Sequence, residues 1–513
     1  MLKISLPYPM YWLVLTLVAL VCAHVYLRVR CRRARKLLSH LPTYATVPFV
    51  GNMHKFFGDG LNAFRYLNEI SDIIEETKMP FVVWIGYHCF IILSDPEEAR
   101  LVANTFLEKP YFYGFARPWL RDGLITAPGS VWKRNVKILA SAFNSATVEG
   151  FMPIFNRQAQ KLLSKLKKET CSEPFDLLDK YLAYTTLETI CQTALGQPEI
   201  TKDMVTEDYY EAFNRTVTLI FKRSLNIFLH PEPVYRLTPA YREMKRSVKI
   251  LHGLSDAILV QKRKKIEDIK IKEIEKKETE KVEFKCFLDM LMEASKSDTL
   301  SEERMKAEVD TIIVAGQETV ATVLNYVFLM LGCKPDVQRK LYEEIKQVFG
   351  ECNGPVSKEH LVRLHYCEAV ICETLRLLPP VPAVLRRAHR DLALKSCTIP
   401  EGATCCINIW GAGRSRQLWG DTAAQYRPER WLSVNSTLAP PLLNFSTGRR
   451  ACIGKQYAMC LMKTIIVYCV REMEFTSQAD KMALKVDIAV RPVSGHLVQV
   501  RARNGDKQTC QTI

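Results

Sequence analysis

Ten residues near the C-terminal end, Phe445-Ser446-Thr447-Gly448-Arg449-Arg450-Ala451-Cys452-Ile453-Gly454, constrain this 513-residue chain more than any other segment. They read F-x-x-G-x-R-x-C-x-G, one cysteine framed by two glycines, an aromatic ring and an arginine. A cysteine that ligates haem iron must stay a thiolate, and backbone N–H groups aimed at the sulfur help to keep it so. Gly448 and Gly454 would let the backbone curl around that sulfur in conformations closed to residues with side chains. From Lys455 to Val470 apolar residues recur at helical spacing, so a helix is expected whose positive N-terminal end faces the thiolate. Phe445 would then cover the sulfur and Arg450 would pair with a haem propionate. The bland alternative is a buried structural cysteine in a glycine turn, which suits most of the 17 cysteines. Four framing residues at fixed spacing set Cys452 apart from those.

The other end of the chain carries a nearly unbroken apolar run from Met10 to Leu27, just long enough to span a bilayer. Arg28, Arg30, Arg32, Arg33, Arg35 and Lys36 follow it at once, against Lys3 before it. By the positive-inside rule the N-terminus is lumenal and the remainder cytosolic. A cleaved signal peptide wants its charge before the apolar core, and a transit peptide is amphipathic and less apolar, so an uncleaved anchor is expected. Residues 1–36 thus read as anchor and stop-transfer segment, and 37–513 as the globular domain. Pro42, Pro48, Gly51 and Asn52 form a turn-rich hinge between them.

With 71 Lys and Arg against 55 Asp and Glu, the chain carries a formal charge of +16, which points to an anionic partner: a membrane surface, an acidic protein or nucleic acid. The run from Lys262 to Lys285 interleaves acids with bases and lacks aromatic rings, so it reads as a solvated helix or linker and not as a nucleic-acid arm. The cysteines show no disulfide or zinc spacing, which fits a reducing compartment. Sequons occur at Asn214, Asn435 and Asn444; a glycan on Asn444 would crowd the cysteine loop, another reason to place this part in the cytosol.

Strand patterns lie near the two ends. Phe81–Gly86 and Cys89–Leu93 read as a hairpin, and Leu484–Val490 and Leu497–Val500 alternate around a turn at Pro492–Gly495. The middle is helical in pattern, as in Leu361–Leu378. One long helix starts at Ser301, followed by Glu302 and Glu303, and ends at Gly332 and Pro335. Inside it lies Ala315-Gly316-Gln317-Glu318-Thr319. A mid-helix glycine costs stability, and one reason to keep it is close passage over a flat cofactor. Glu318 and Thr319 could then relay protons; a packing glycine beside a solvent-facing acid is the bland alternative. In Glu373-Thr374-Leu375-Arg376 the acid and base share a helix face. Arg430, in Tyr426-Arg427-Pro428-Glu429-Arg430-Trp431, could join them in a buried cluster with a structural role.

Taken in this order and spacing, A-G-x-E-T, E-x-x-R, P-E-R and the cysteine loop resemble the cytochrome P-450 family of haem-thiolate proteins across the chain beyond the anchor. The resemblance implies a mainly helical fold with small β-sheets and haem b between two helices. It implies Cys452 as axial iron ligand, Glu318 and Thr319 handling protons during oxygen activation, and Trp132, Arg386 and Arg450 at the propionates. Phe445, Gly448 and Gly454 shape the cofactor loop, and Glu373, Arg376 and Arg430 lock the fold. Similarity to the microsomal branch implies NADPH–cytochrome reductase as electron donor, docking on basic residues such as Lys455, with cytochrome b5 beside it, and residence in the endoplasmic reticulum membrane. Leu229-His230-Pro231, Leu237-Thr238-Pro239 and Met462-Lys463 resemble the clan of fatty-acid ω-hydroxylases and insect detoxification members. Ala315 stands where several of that clan carry an esterified glutamate, so non-covalent haem is expected.

Three departures concern the haem edge. The usual W-x-x-x-R has become Trp132-Lys133-Arg134-Asn135-Val136, and Arg134 or Lys137 is the expected substitute for the missing arginine. Gly413-Arg414-Ser415-Arg416 replaces His-Arg-Asp-Pro, and Leu461 replaces a glutamate. The expected activity is a monooxygenase acting on a lipophilic fatty acid, terpenoid, pheromone or xenobiotic. Residues 110–120, 213–228 and 383–385 are expected to line its pocket. A haem-thiolate isomerase or dehydratase and a non-catalytic haem or lipid binder are the rivals; the first can dispense with the Glu318–Thr319 pair, which is intact, and the second would be supported by loss of Cys452 or Thr319, both of which are present.

Overall fold

A computed structural model describes residues 8–170, 172–197, 207–276, 285–296, 300–350, 354–432 and 443–503. Asn435 and the polar tail after 503 lie outside these residues. Helix α1 (Tyr8–Arg30) carries the apolar run, and nearly every residue from Met10 to Val21 is exposed. A face so apolar and so unprotected suits lipid, not water. Helix α2 (Arg32–Leu37) follows. The expected hinge behind it is instead pinned to the first strand, β1 (Phe81–Ile85). Asn52 is fully buried; its amide donates to the carbonyls of Tyr44 and Ala45 and accepts the Trp84 N–H at 2.8 Å. A Cβ on Gly51 would meet the Trp84 carbonyl oxygen at 2.2 Å.

β1 pairs with β2 (His88–Leu93) in the expected hairpin. Helix α3 (Pro96–Thr105) is capped by Asp95. Then come α4 (Gly129–Leu139), α5 (Ala183–Thr193), α6 (Glu207–Leu225) and α7 (Pro239–Lys276). α7 carries the Lys/Glu run as a helix as far as Lys276. Its Lys262, however, is buried and paired with Asp289 at 2.6 Å, so this part of the run is a packed face and not a solvated one.

Helix α8 (Glu302–Cys333) is the axis of the domain. Ser301 caps it as expected, accepting the Arg304 N–H. It is apolar and long enough to cross a membrane, yet most of it is buried in protein. Two of its buried acids serve as ties: Glu308 accepts the Leu124 N–H at 3.0 Å and the Asn135 amide at 2.9 Å, and Asp310 pairs with Arg121.

The helix expected over Leu361–Leu378 is two, α9 (Lys358–Arg363) and α10 (His365–Leu377). The break is at Leu364, whose backbone leaves helical values so that its side chain is fully buried. β3 (Ala383–Arg387) and β4 (Thr404–Asn408) complete a sheet of order β1-β2-β4-β3, with β4 parallel to β2 and antiparallel to β3. After the cysteine loop, α11 (Lys455–Glu472) runs as expected into β5 (Met473–Ser477). β6 (Ala483–Val486) pairs with β7 (Val490–Ser494), and β8 (Leu497–Ala502) crosses to pair with β5. The expected turn at Pro492–Gly495 is therefore mostly strand. Pro492 lies in a two-stranded ribbon, where its missing N–H costs little, and the chain turns at Asp487–Ala489 and at Gly495.

The Glu–Arg–Arg cluster forms as expected and joins distant segments. Glu373 and Arg376 are fully buried and bonded twice at 2.8 Å. Glu373 also accepts Arg430 Nε at 3.0 Å, the Arg427 N–H at 2.7 Å and Trp431 Nε1 at 3.0 Å. Arg376 spends its remaining N–H groups on the Gly413, Ala423 and Gln425 carbonyls. A buried ion pair survives only when its lone pairs and protons are satisfied in this way.

Candidate active site

The cysteine loop is shaped from both sides. Gly448 has φ +71°, and a Cβ there would lie 2.6–2.8 Å from the backbone and Cβ of Ala103 on α3. Only glycine allows that approach. Gly454 differs: its φ is −89°, open to any residue, and a Cβ would lie 3.9 Å from Cys452 Sγ. The expectation that both glycines adopt forbidden conformations is corrected to Gly448 alone.

Cys452 donates its N–H to the Phe445 carbonyl at 2.8 Å, and its residue surface opens to a cavity. Burial pushes the Cys452 thiol up from its ordinary range, while a hydrogen bond from the Gly454 backbone and the Lys455 charge pull it down. Lys455 begins α11, so the helix N-terminus, a backbone N–H and a cation converge on one sulfur. Metal coordination completes the deprotonation of such a thiol.

The cavity, about 270 Å³, is bounded by the cysteine loop, the start of α11, the mid-section of α8 and β3. Ala315, Gly316 and Thr319 line it from α8, with Val320 and Val323 one turn on. Thr319 Oγ1 donates to the Ala315 carbonyl at 2.8 Å. A Cβ on Gly316 would strike Ile190 of α5 at 2.5 Å, so this glycine serves helix packing as well as bordering the cavity. Glu318 does not line the cavity. Its carboxylate accepts Arg491 Nε at 2.9 Å and Nη2 at 2.6 Å, and Arg491 also donates to Asn214 at 2.6 Å. Burial works against the Arg491 charge, but Glu318, Asp179 and Asp487 outweigh it and hold the guanidinium above its usual range.

At the opposite edge three cations converge: Lys109, Arg386 and Arg450. Arg450 Nη2 donates to the Ala127 carbonyl at 2.8 Å and its guanidinium lies 5.0 Å from the Trp132 ring. Trp132 thus reaches the cavity edge through Arg450, without lining the cavity itself. Arg450 Nε and Nη1 and Arg386 Nε are buried without an acceptor among the described residues. Burial first, then mutual repulsion, pushes Arg450 down to about 10 and Lys109 well below its normal value; burial alone lowers Arg386. Glu108 is nearby, but it accepts the Gly129 N–H. Buried cations without acceptors call for anions. The two propionates of a haem whose iron faces Cys452 are such anions, so the residues present fit this cofactor.

The substitutes expected for the missing arginine are corrected. Arg134 and Lys137 are both exposed on α4 and absent from the cavity wall, because they lie off the buried face that carries Trp132 and Asn135. Lys109 is the third cation instead. No motif announces it, and only folding brings it there. Of the expected pocket segments, Val384 lines the cavity, whereas 110–120 and 213–228 pack on each other through Trp119 against Phe213 and Arg223 over Phe115. Asn444 is half-buried with its amide bonded to the Leu375 carbonyl, which agrees with an unglycosylated loop.

A helical domain with one open thiolate ligand, a cationic rim and an alcohol-bearing long helix across the cavity defines a haem-thiolate protein. The chain belongs to the cytochrome P450 family, whose family model matches residues 41–498. Cytochrome P450 4V2 of Mus musculus is 29% identical over 483 residues, covering 90% of each chain. Cytochrome P450 4c21 of Blattella germanica is 28% identical over 488 residues, covering 93% of this chain and 96% of that one. Cytochrome P450 4d10 of Drosophila mettleri is 30% identical over 462 residues, covering 88% and 89%. The mixture of mammalian and insect relatives agrees with the clan resemblance. The protein is a P450 monooxygenase with cysteine-ligated haem.

Proposed function

We propose that this protein, anchored by α1 in the endoplasmic reticulum membrane with its domain in the cytosol, inserts one atom of O2 into a lipophilic substrate. The observation that carries this reading is the apolar cavity with the Cys452 sulfur on one wall and the Thr319 hydroxyl on another. Haem, held without a covalent bond because residue 315 is alanine, supplies the activation of O2, and the thiolate favours O–O cleavage.

The chain's own residues do the rest. Cys452 holds the iron. Arg386, Arg450 and Lys109 hold the propionates, and Trp132 keeps Arg450 in place. Phe143, Ile312, Val320 and Val381 keep water from the reacting substrate. Thr319 Oγ1 can turn its proton from the Ala315 carbonyl into the cavity, while Glu318, clamped by Arg491, stands behind it towards the exposed Asn214. The electrons come from NADPH through its cytochrome reductase, with cytochrome b5 as a second donor. Exposed Arg449 and Lys455 beside the cysteine loop suit the acidic face of such partners. The apolar lining supports a lipophilic substrate, such as a fatty acid, terpenoid, pheromone or xenobiotic.

The test begins with the carbon monoxide difference spectrum of the reduced protein, where a strongly red-shifted Soret band is expected. Reconstitution with reductase should then give NADPH- and O2-dependent oxygenated product from one of these substrate classes. Product formed from a peroxide without NADPH would replace this reading with the isomerase; a thiolate spectrum with no turnover of any class would leave a binder.

A further inference from the structure

A second, smaller cavity of about 100 Å³ lies where α1 leaves the apolar run and meets the catalytic domain. Its polar wall is His24, Arg28, Arg35, Thr46 and Tyr87, and Phe49 lies beside it. His24 Nδ1 and Tyr87 Oη are 2.5 Å apart, and the Cys31 thiol donates to the Tyr87 carbonyl at 3.2 Å, so the anchor closes one side of the cavity and the β1–β2 turn the other.

Charge is unbalanced here. Arg33, two residues before Arg35, is neutralised by Asp391, but neither Arg28 nor Arg35 has a carboxylate partner among the described residues. The Arg35 guanidinium lies 4.3 Å from the Trp84 ring, and its Nε is buried without an acceptor. Burial first, and then Arg28, push this guanidinium below its usual range. Two cations, a hydroxyl and a phenol around an empty volume suit a tetrahedral oxyanion.

Depth identifies the source of that anion. Met10 to Leu27 at 1.5 Å per residue spans about 27 Å, close to the thickness of a hydrocarbon core, so Arg28 and Arg35 fall at the level of the headgroups. We infer that this cavity binds the phosphate of one anionic phospholipid, clasped between the anchor and the catalytic domain. The paired arginines repel a choline ammonium, which selects headgroups without a fixed cation. The inference rests on the reading of α1 as a membrane anchor, and it goes beyond the general attraction of a basic stretch to acidic lipid.

The experiment places the full-length, haem-loaded protein in phosphatidylcholine nanodiscs containing a minor fraction of phosphatidylinositol. Native mass spectrometry then counts the lipid retained on release. One phosphatidylinositol per chain is expected, in preference to the more abundant phosphatidylcholine. Arg35→Gln should reduce its retention about tenfold, the loss of a charge-assisted contact. Arg32→Gln, exposed and outside the cavity, removes the same charge and should leave retention unchanged. Arg28→Gln, also exposed and therefore neutral to folding, should follow Arg35→Gln. Equal loss in Arg32→Gln and Arg35→Gln, retention of phosphatidylcholine as readily, or displacement by millimolar inorganic phosphate would each overturn the site. Failure to enter the nanodisc would overturn the anchor itself, a distinguishable result.

Discussion

Substituting alanine at the two glycines of the cysteine loop should give very different results, although the motif treats them alike. Gly448→Ala places a side chain at φ +71°, a left-handed conformation that costs an L-residue about 1–2 kcal/mol. The new methyl also lies 2.6–2.8 Å from the backbone and Cβ of Ala103, atoms that cannot swing aside as a flexible side-chain tip can. Overpacking of this kind costs about 1–3 kcal/mol more. The expected destabilisation is about 2–5 kcal/mol, with the loop pushed away from α3. Gly454→Ala meets no clash and no forbidden φ. It replaces a helix N-cap glycine by a poor capping residue, at a cost under about 1 kcal/mol. Thermal unfolding of the haem-loaded proteins measures the difference, and the reduced carbon monoxide spectrum reports whether the thiolate stays in place. Gly448→Ala should melt several degrees lower and lose part of its red-shifted band, while Gly454→Ala stays near the parent on both counts. Equal effects at the two positions would refute the claim that contact with α3 shapes the loop.

Thr319→Ala should keep consuming NADPH yet form product at least about tenfold less efficiently, since a positioned proton donor is worth at least that much; unchanged product per NADPH would remove Thr319 from proton handling. Glu373→Ala strips the acceptor from a fully buried Arg376, at about 3–5 kcal/mol, and should sharply lower the yield of soluble haem protein. Glu308 supplies a pH dependence. Burial, partly offset by its Asn135 and Leu124 hydrogen bonds, pushes it up to about 7, so the folded state holds a proton that the unfolded state has already lost. Stability should therefore fall as pH rises from about 4.5 to about 7, by about 3 to 3.5 kcal/mol, and level off above. Glu308→Gln should flatten that slope in thermal melts; a slope unaltered by the change would assign it elsewhere.

Much of the site was legible because its chemistry is local. A cysteine loop, a capped long helix and a Glu–Arg pair one turn apart each lie within a few consecutive turns, where spacing dictates geometry. The misreadings fall where tertiary contact decides. Lys109 and Arg491 carry no motif: Lys109, just after α3, meets Arg386 of β3 and Arg450 at the cavity edge, and Arg491 of β7 meets Glu318 of α8, only once the chain has folded. Gly316 is accounted for by Ile190, more than 120 residues away in the chain. The Leu364 break cannot be seen in a periodicity that runs straight through it, because apolar spacing is preserved while the backbone changes direction.

The joint between α1 and β1 has a consequence for encounters. A domain on a slack tether tumbles and shows every face to its surroundings. Here the His24–Tyr87 bond ties α1 and the Arg35–Trp84 stack ties α2 to the first hairpin, and Asn52 and the Gly51 turn hold the following segment against β1. With α1 in a bilayer, these ties would narrow the headings the domain takes relative to the plane, leaving it to spin about the normal and drift sideways. A partner confined to the same plane then meets it in a search of two dimensions, with one angle left to match instead of three. Loosening the joint with a flexible insertion near Gly51 would return the lost angles and slow productive collisions while leaving the catalytic site untouched.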